Sequence, residues 1–416
     1  MSLRMRYRAI AALGAACGLT LAFTGNALAA STQWVNDNVA VGSNTSCASP
    51  GYNDIQSAVT AATAGDTIRV CAGSYSGQIL VDKQLFLRGA KAGIDARTRS
   101  TTGESTVQGL NTDTVGFNLA ANNIVLDGFR VRGVGSGPGI QTSSLFSGYT
   151  IQNTIIGNNA FGIYANTGST SQNVIRTNLI KNNNANLGVA AAAGNGIYAD
   201  QGTNRLLIAR NTMSGQKNSG FLFTTTDSIE NRDVTIQRNL AVNNATFVNL
   251  FGNNTNFQIR SNTTNDTNSA DNASQGTAIR IADNANGVLV IANTIKNSPF
   301  SGVAVRDAED TTAAPYNIDI QLNTITGAKG NGVDVTDSEQ GAVSVYRNTV
   351  RHAVLDGIFF GPASGANLID SNSSRFSGGF DCEDQSTGTG TSGTNNTWTH
   401  NVGDTSSPSG LCHPPV

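Results

Sequence analysis

One short sequence pattern around asparagine repeats eight times in this chain and constrains its fold more than any other feature. Each of these asparagines follows a Val or Ile by three residues, and successive asparagines lie 23 to 33 residues apart. A period of this length with irregular insertions is typical of stacked structural repeats. The eight residues are Asn178, Asn211, Asn239, Asn262, Asn293, Asn323, Asn348 and Asn372.

Apolar and polar residues alternate ahead of each asparagine, and this period of two predicts strands. A glycine then opens a further short strand, as at Gly302 and Gly332. One rung cannot bury its own apolar side chains, so the rungs must stack. The sequence therefore predicts an all-β fold, a right-handed parallel β-helix. We expect the asparagines to take left-handed backbone angles at bends and their amides to form a ladder.

The sequence divides into four predicted regions. Residues 1–29 combine a basic start, an apolar stretch and Ala27-Leu28-Ala29, which predicts a secretory signal peptide and an extracellular location. Residues 30–80 are expected to form an N-terminal cap, with a short helix across Asp54–Ala62, and the first strands. Residues 81–380 are assigned to the β-helix and residues 381–416 to a loop-rich C-terminal cap. No later run is apolar enough to span a membrane.

Four cysteines follow the predicted signal peptide, two near each end of the predicted rod. Their placement favours the disulfides Cys47–Cys71 and Cys382–Cys412. Free thiols or a zinc site are the alternatives, although the chain has no Cys-x-x-Cys and only three histidines.

The formal net charge is −2 and no basic stripe is present, so nucleic acid is not an expected partner. We expect a monomer.

Several segments resemble the opening of secreted proteins of the pectate-lyase-like, right-handed parallel β-helix superfamily. They are Tyr52-Asn-Asp-Ile-Gln-Ser-Ala-Val59, Ala64-Gly-Asp-Thr-Ile-Arg-Val70, Ala72-Gly-Ser-Tyr75, Leu85-Phe-Leu-Arg-Gly-Ala90 and Ala92–Arg99. The ending from Asp381 to Cys412 resembles that of exported actinobacterial members. The resemblance implies the fold, secretion and a polysaccharide as partner. It does not imply one reaction, because this superfamily includes lyases, hydrolases, esterases, epimerases and members without assigned chemistry.

The sequence lacks the catalytic signatures of the superfamily. It has no Trp-Ile-Asp-His of pectate lyases, no Gln-Asp pair of pectin methylesterases and no Asp-Pro-His-Glu of alginate epimerases. Of the polygalacturonase motifs only Asn111-Thr112-Asp113 is present, and we interpret it as a turn. No known catalytic set therefore transfers to this chain.

A column of carboxylates is one candidate site. Counting from the residue that opens the second strand, the fifth position is Asp283, Asp307 and Asp337. Stacked on neighbouring rungs, these side chains would repel one another unless one held a proton or a cation sat among them, and calcium is the expected ion.

By analogy with calcium-dependent lyases of this fold, Arg280 and Arg306 are the nearest arginines that could remove a proton. Asp307 and the outward-facing Asp334 complete the predicted catalytic set. The competing interpretation is ordinary turn chemistry at strand ends, with the arginines as surface ion pairs.

A second candidate is the pair Tyr164 and Tyr198, with Asp200 just beyond. If Ile163, Ala165 and Ile197 point inward, these tyrosines face outward, where aromatic rings can stack on sugars. Tyrosines that merely cover a sheet face are an equally good interpretation. Two functions therefore stay open: a secreted polysaccharide lyase or hydrolase, and a non-catalytic structural or glycan-binding surface protein.

Overall fold

The computed structural model describes residues 30–188, 192–225, 228–266, 276–307, 314–338 and 341–415. The predicted signal peptide at residues 1–29 lies outside the described residues. Within them, the chain winds through short strands that pair in parallel into sheets of 14, 13 and 12 strands. Each circuit of the chain adds one strand to each sheet, which is the architecture of a parallel β-helix.

Sheet 1 contains, in order, β1 (Thr32–Val35), β2 (Thr67–Val70), β5 (Phe86–Arg88), β8 (Val125–Asp127), β11 (Thr150–Gln152), β14 (Asn173–Arg176), β17 (Asn204–Ala209), β20 (Asn231–Gln237), β23 (Asn254–Arg260), β26 (Asn286–Ile291), β29 (Tyr316–Gln321), β32 (Val343–Tyr346), β35 (Leu368–Asp370) and β38 (Thr397–Thr399). Sheet 2 contains β4 (Ile79–Val81), β7 (Phe117–Leu119), β10 (Pro138–Gln141), β13 (Phe161–Tyr164), β16 (Ile197–Ala199), β19 (Ser219–Thr224), β22 (Thr246–Phe251), β25 (Ile279–Ala282), β28 (Val303–Arg306), β31 (Val333–Ser338), β34 (Ile358–Ser364), β37 (Cys382–Asp384) and β39 (Ser406–Ser407). Sheet 3 contains β3 (Gly73–Ser76), β6 (Ser105–Gln108), β9 (Phe129–Arg132), β12 (Ile155–Gly157), β15 (Leu179–Lys181), β18 (Thr212–Ser214), β21 (Leu240–Val242), β24 (Thr263–Asn265), β27 (Thr294–Lys296), β30 (Thr324–Thr326), β33 (Thr349–Arg351) and β36 (Ser373–Arg375).

The predicted amide ladder is present and runs through the buried bend between sheets 1 and 3. Each asparagine Nδ2 donates to the Oδ1 of the asparagine on the next rung at 2.9–3.1 Å, from Asn178 through to Asn401. The same Oδ1 also accepts the backbone N–H of the preceding rung's asparagine. Asn401 extends the ladder by one residue beyond the predicted eight. Because these amides are buried, the full set of hydrogen bonds is what makes their burial tolerable.

The predicted left-handed angles at the asparagines are wrong. The left-handed residue is the one directly before each asparagine, with φ between 53° and 57°. These residues are Thr177, Arg210, Arg238, Ser261, Ala292, Leu322, Arg347, Ser371 and His400. Their side chains are exposed or half-buried, whereas the asparagine side chain turns inward to meet the ladder. At each bend, one residue therefore takes the left-handed backbone angle, and the asparagine that follows makes the hydrogen bonds of the ladder.

Apolar residues ahead of the ladder fill the interior of the rod. In sheet 1, Ile208, Ile236 and Ile259 occupy directly paired positions on successive strands, and each is fully buried. Burying each such side chain contributes roughly 1.5–3 kcal/mol. Stacking therefore provides the burial that no single rung achieves.

The N-terminal end carries the predicted covering helix. Helix α1 (Ile55–Ala61) begins after Asp54, whose carboxylate accepts from the backbone N–H of Ser57 at 2.7 Å, and it buries Ile55, Ala58 and Val59. The predicted capping helix is thereby confirmed. Parallel strands continue past residue 380 to β39, so the predicted boundary at residue 381 falls inside the stack.

The predicted disulfides Cys47–Cys71 and Cys382–Cys412 are both present. Within the described ranges, the model contains no helix with the length and apolar character needed to cross a bilayer.

Candidate active site

The outward face of sheet 2 brings chemically active side chains from separate rungs into one column. Consecutive paired positions are Tyr164, Tyr198, Leu222, Asn249, Arg280, Ala304, Asp334, Phe359 and Glu383. They face outward because their strand neighbours, such as Val333 and Val335, are fully buried inside the rod. We call this set the outward column.

Asp334 is the buried acidic residue of the outward column. One carboxylate oxygen accepts from the Ser301 hydroxyl at 2.9 Å and lies 3.4 Å from an Arg306 guanidinium nitrogen. The other oxygen accepts from the Thr336 hydroxyl at 2.8 Å. These donors fix the carboxylate in one orientation and compensate for its burial.

Asp356 and Glu383, which lie one and two rungs beyond Asp334, form a carboxyl pair. Both side chains are half-buried, and they interact electrostatically. Burial raises the pKa of Asp356 to about 6, helped by the neighbouring Glu383 carboxyl and the charge of Asp334. The backbone N–H of Phe380, which donates to the Asp356 carboxylate at 2.7 Å, acts in the opposite direction. Two carboxylates this close cannot both ionise freely, so Asp356 keeps its proton up to about pH 6 rather than losing it near pH 4.

The turn before β37 is shaped to admit Asp356. A side chain at Gly379 would place its Cβ 2.3 Å from a carboxylate oxygen of Asp356. The neighbouring N–H of Phe380 is the group that donates to this same oxygen. Glycine at this position is therefore required by the close approach of the carboxyl group.

The two predicted arginines lie beside this cluster. Arg306 is paired with Asp334, and its guanidinium carbon is 5.9 Å from the centre of the Phe300 ring. Burial is the main cause that lowers the pKa of Arg280, and the positive charge of Arg306 lowers it further. The charge of Asp283 partly opposes this by raising the pKa. The structure thus brings together Arg280, Arg306 and Asp334 from the predicted catalytic set. Asp307 directly follows β28 and is half-buried, and its catalytic role stays a prediction.

Metal binding by the predicted column Asp283, Asp307 and Asp337 stays a prediction. Among the described residues, which include all three aspartates, no group of three or more His, Cys, Asp or Glu side chains is placed to hold a metal ion. Asp283 is buried and left-handed with φ 57°, so the strand ends there. Asp337 is still inside β31, which pairs with β28 in unbroken register up to Val335; the register shift after Val335 lies in the pairing of β31 with β34. The strand pairings keep the expected register as far as Ala282, Arg306 and Val335, but the backbone at Asp283 is left-handed while Asp337 lies within a strand.

The predicted sugar-binding residues do meet, at another part of the outward column. Tyr164 and Tyr198 stack with ring centres 5.7 Å apart, and both hydroxyls donate to Asp200, at 2.5 and 2.9 Å. Phe161 packs edge-on against both rings. Burial and then the bond to Asp200 raise the pKa of both phenols. The hydroxyls thus have internal partners, and a role in binding sugar stays a prediction.

Sequence reasoning missed Asp356 and Glu383. Glu383 was assigned to the C-terminal cap, although Asp334, Phe359 and Glu383 are equivalent positions of consecutive strands. Aligning Cys382 with Val333 and Ile358 would have placed Glu383, the residue after Cys382, in the outward column. Asp356 lies in a bend of variable length, and no periodic signal marks it.

Comparisons with known proteins agree with this architecture. Residues 115–285 match the family described as right handed beta helix region. A thermostable GH87 alpha-1,3-glucanase catalytic unit from Streptomyces thermodiastaticus strain HF3-3 aligns over 88% of this chain and 67% of its own, with 17% identity and a TM-score of 0.56. The mannuronan C-5 epimerase AlgE6 A-module of Azotobacter vinelandii aligns over 84% and 94%, with 13% identity and a TM-score of 0.50. No curated protein sequence matches the chain.

Identities this low establish the fold and no more. The chain folds as a right-handed parallel β-helix, and the fold class predicted from the sequence is confirmed.

Proposed function

We propose that this protein is an extracellular glycoside hydrolase that cleaves a polysaccharide on the outward face of sheet 2. The observation that carries this proposal is the carboxyl pair Asp356–Glu383, in which Asp356 holds a proton near pH 6. Hydrolysis of glycosidic bonds commonly uses two carboxyl groups, one protonated and one ionised. A groove along a β-helix suits a polymer, and the solved neighbours named above are a glucanase and an epimerase of mannuronan.

Each carboxyl group has a distinct part in the proposed reaction. Asp356 donates its proton to the glycosidic oxygen as the bond from that oxygen to the anomeric carbon breaks. Glu383 lies directly beside Asp356 and helps to keep the proton on it, but it is too close to Asp356 for a water to fit between the two groups. The water that attacks the anomeric carbon therefore gives up its proton to solvent, and Asp356 regains a proton from solvent after the bond has broken. Asp334 does not react but keeps a negative charge beside the pair, and so acts as a positioning residue.

A hydrolase accounts for this geometry better than an arginine-based lyase. The guanidinium of Arg306 already contacts Asp334 at 3.4 Å, so it is engaged by a carboxylate rather than placed to remove a proton. Two disulfides are consistent with an oxidising extracellular compartment and with the predicted signal peptide. We therefore place the reaction outside the cytoplasm.

Release of new reducing ends from a panel of neutral and acidic polysaccharides tests this proposal. The variant Asp356→Asn should lower the rate roughly 10²–10⁴-fold, the usual contribution of a general acid. Asp319→Asn is the matched control, because Asp319 is an exposed aspartate on sheet 1, and it should leave the rate unchanged. Cleavage that persists at full rate in Asp356→Asn would contradict the assignment.

Glycan binding without cleavage is the second candidate function. The tyrosine pair favours it, since two stacked rings at the surface of sheet 2 offer an apolar edge to a sugar. Retention of a polysaccharide by the wild-type protein, with no new reducing ends from any substrate, would favour this function over hydrolysis.

A further inference from the structure

A second cluster at the N-terminal end of sheet 1 has a chemistry that the proposed hydrolase does not use. Trp34, Arg69 and Arg88 occupy directly paired positions on β1, β2 and β5. Both arginines are exposed, and the tryptophan is half-buried. The three side chains line a surface cavity of about 250 Å³, together with Ala72 and Ala90.

The two arginines lack an acidic partner. Among the ion pairs between described residues, none involves Arg69 or Arg88. The paired position on the next strand is Asp127, but its carboxylate accepts from Gly93, Gln152 and Asn153 instead. Like charges on directly opposed positions of neighbouring strands repel each other. An anion between the guanidinium groups would remove that repulsion.

The surroundings restrain the Arg69 guanidinium and the loop beside it. The guanidinium carbon of Arg69 lies 5.4 Å from the centre of the Trp34 ring, a cation–π contact that restricts the side chain. The disulfide between Cys47 and Cys71 lines the same cavity and ties the N-terminal loop to it. The site is therefore built on paired strands and a crosslink.

We propose that Trp34, Arg69 and Arg88 form a binding site for an oxyanion on a sugar unit, separate from the carboxyl pair on sheet 2. Planar guanidinium groups bind carboxylate and phosphate oxygens in bidentate fashion. The cavity is smaller than those that hold drug-sized ligands, and its size suits one sugar ring with its anionic group. The site anchors an acidic or phosphate-bearing glycan about ten rungs from Glu383.

Tryptophan fluorescence reports this site directly. The chain has two tryptophans, and Trp398 is buried with its indole N–H bound to Asp384 at 2.7 Å. A change in emission on ligand addition therefore comes chiefly from Trp34. We would titrate the full-length protein with galacturonate, inorganic phosphate and glucose at low ionic strength.

A saturable response below about 10 mM is expected for at least one anion and not for glucose. The anion that binds more tightly identifies the oxyanion as carboxylate or phosphate. The double variant Arg69→Gln, Arg88→Gln should weaken binding at least 10-fold. Arg176→Gln should not, because Arg176 is an exposed arginine further along sheet 1.

Salt provides a test that needs no variant. In the wild-type protein, 0.5 M NaCl should weaken anion binding, because salt screens exposed charges. Equal responses to glucose and the anions, no saturable response to either anion, or unchanged affinity in the double variant would overturn the proposal. None of these results bears on cleavage at Asp356, so the two proposals fail independently.

Discussion

Removing one amide from the middle of the asparagine ladder should destabilise the protein far more than removing a similar amide from its surface. Asn262 Nδ2 donates to the Ile236 carbonyl and to Asn293, and its Oδ1 accepts from the Asn239 backbone and side chain. Asn262→Ala deletes all four bonds. At a net value of about 1 kcal/mol each, the loss is about 4 kcal/mol in the free energy of unfolding.

Asn265 provides a control only three residues away. It lies on β24, is exposed, and its Oδ1 accepts one bond from Asn297 at 2.9 Å. Asn265→Ala should therefore cost less than about 0.5 kcal/mol. Urea denaturation followed by far-ultraviolet circular dichroism would compare the two variants in the same rungs. If Asn262→Ala destabilises the protein within about 1 kcal/mol of Asn265→Ala, the ladder does not stabilise the fold as argued.

Two further predictions concern backbone positions. Leu322 is 48% exposed at φ 55°, so Leu322→Asn should stabilise the protein by up to about 1 kcal/mol in urea denaturation, because asparagine tolerates left-handed angles. Leu368→Asn, at 46% exposure in β35, should give no gain, and an equal gain would refute the explanation. Gly379→Ala should lower the cleavage rate at least 10-fold by displacing Asp356, with little change in the urea midpoint; an unchanged rate would contradict the role given to that turn.

The fold was predictable because its signal is repeated. Alternating apolar residues and a recurrent asparagine need no knowledge of distant contacts, and they lead directly to stacked strands and an amide ladder. The exact backbone state at the bend was not predictable in this way. Arg238 and Leu322 carry the left-handed angle although neither residue type favours it, because the adjacent asparagine must face inward.

The candidate site was only partly predictable, because it depends on register across bends of unequal length. Arg280, Arg306 and Asp334 lie close together as expected, since their strands are regular. Asp356 and Glu383 are 27 residues apart, and their contact arises only when two successive rungs are superposed. Asp283 shows a further limit, because its left-handed backbone angle ends the strand in a way that spacing alone does not predict.

The pH dependence of polysaccharide cleavage tests the central claim most directly. Because the pKa of Asp356 is raised to about 6, its protonated form is present below that pH and is lost above it. The rate should therefore fall as the pH rises through about 6. Asp319→Asn should follow the same curve. Glu383→Gln removes a neighbouring negative charge and so should lower the pKa of Asp356. Any residual cleavage rate in this variant should therefore begin to fall at a lower pH. A rate that is constant from about pH 4 to pH 8 would contradict the assignment of Asp356 as the acid.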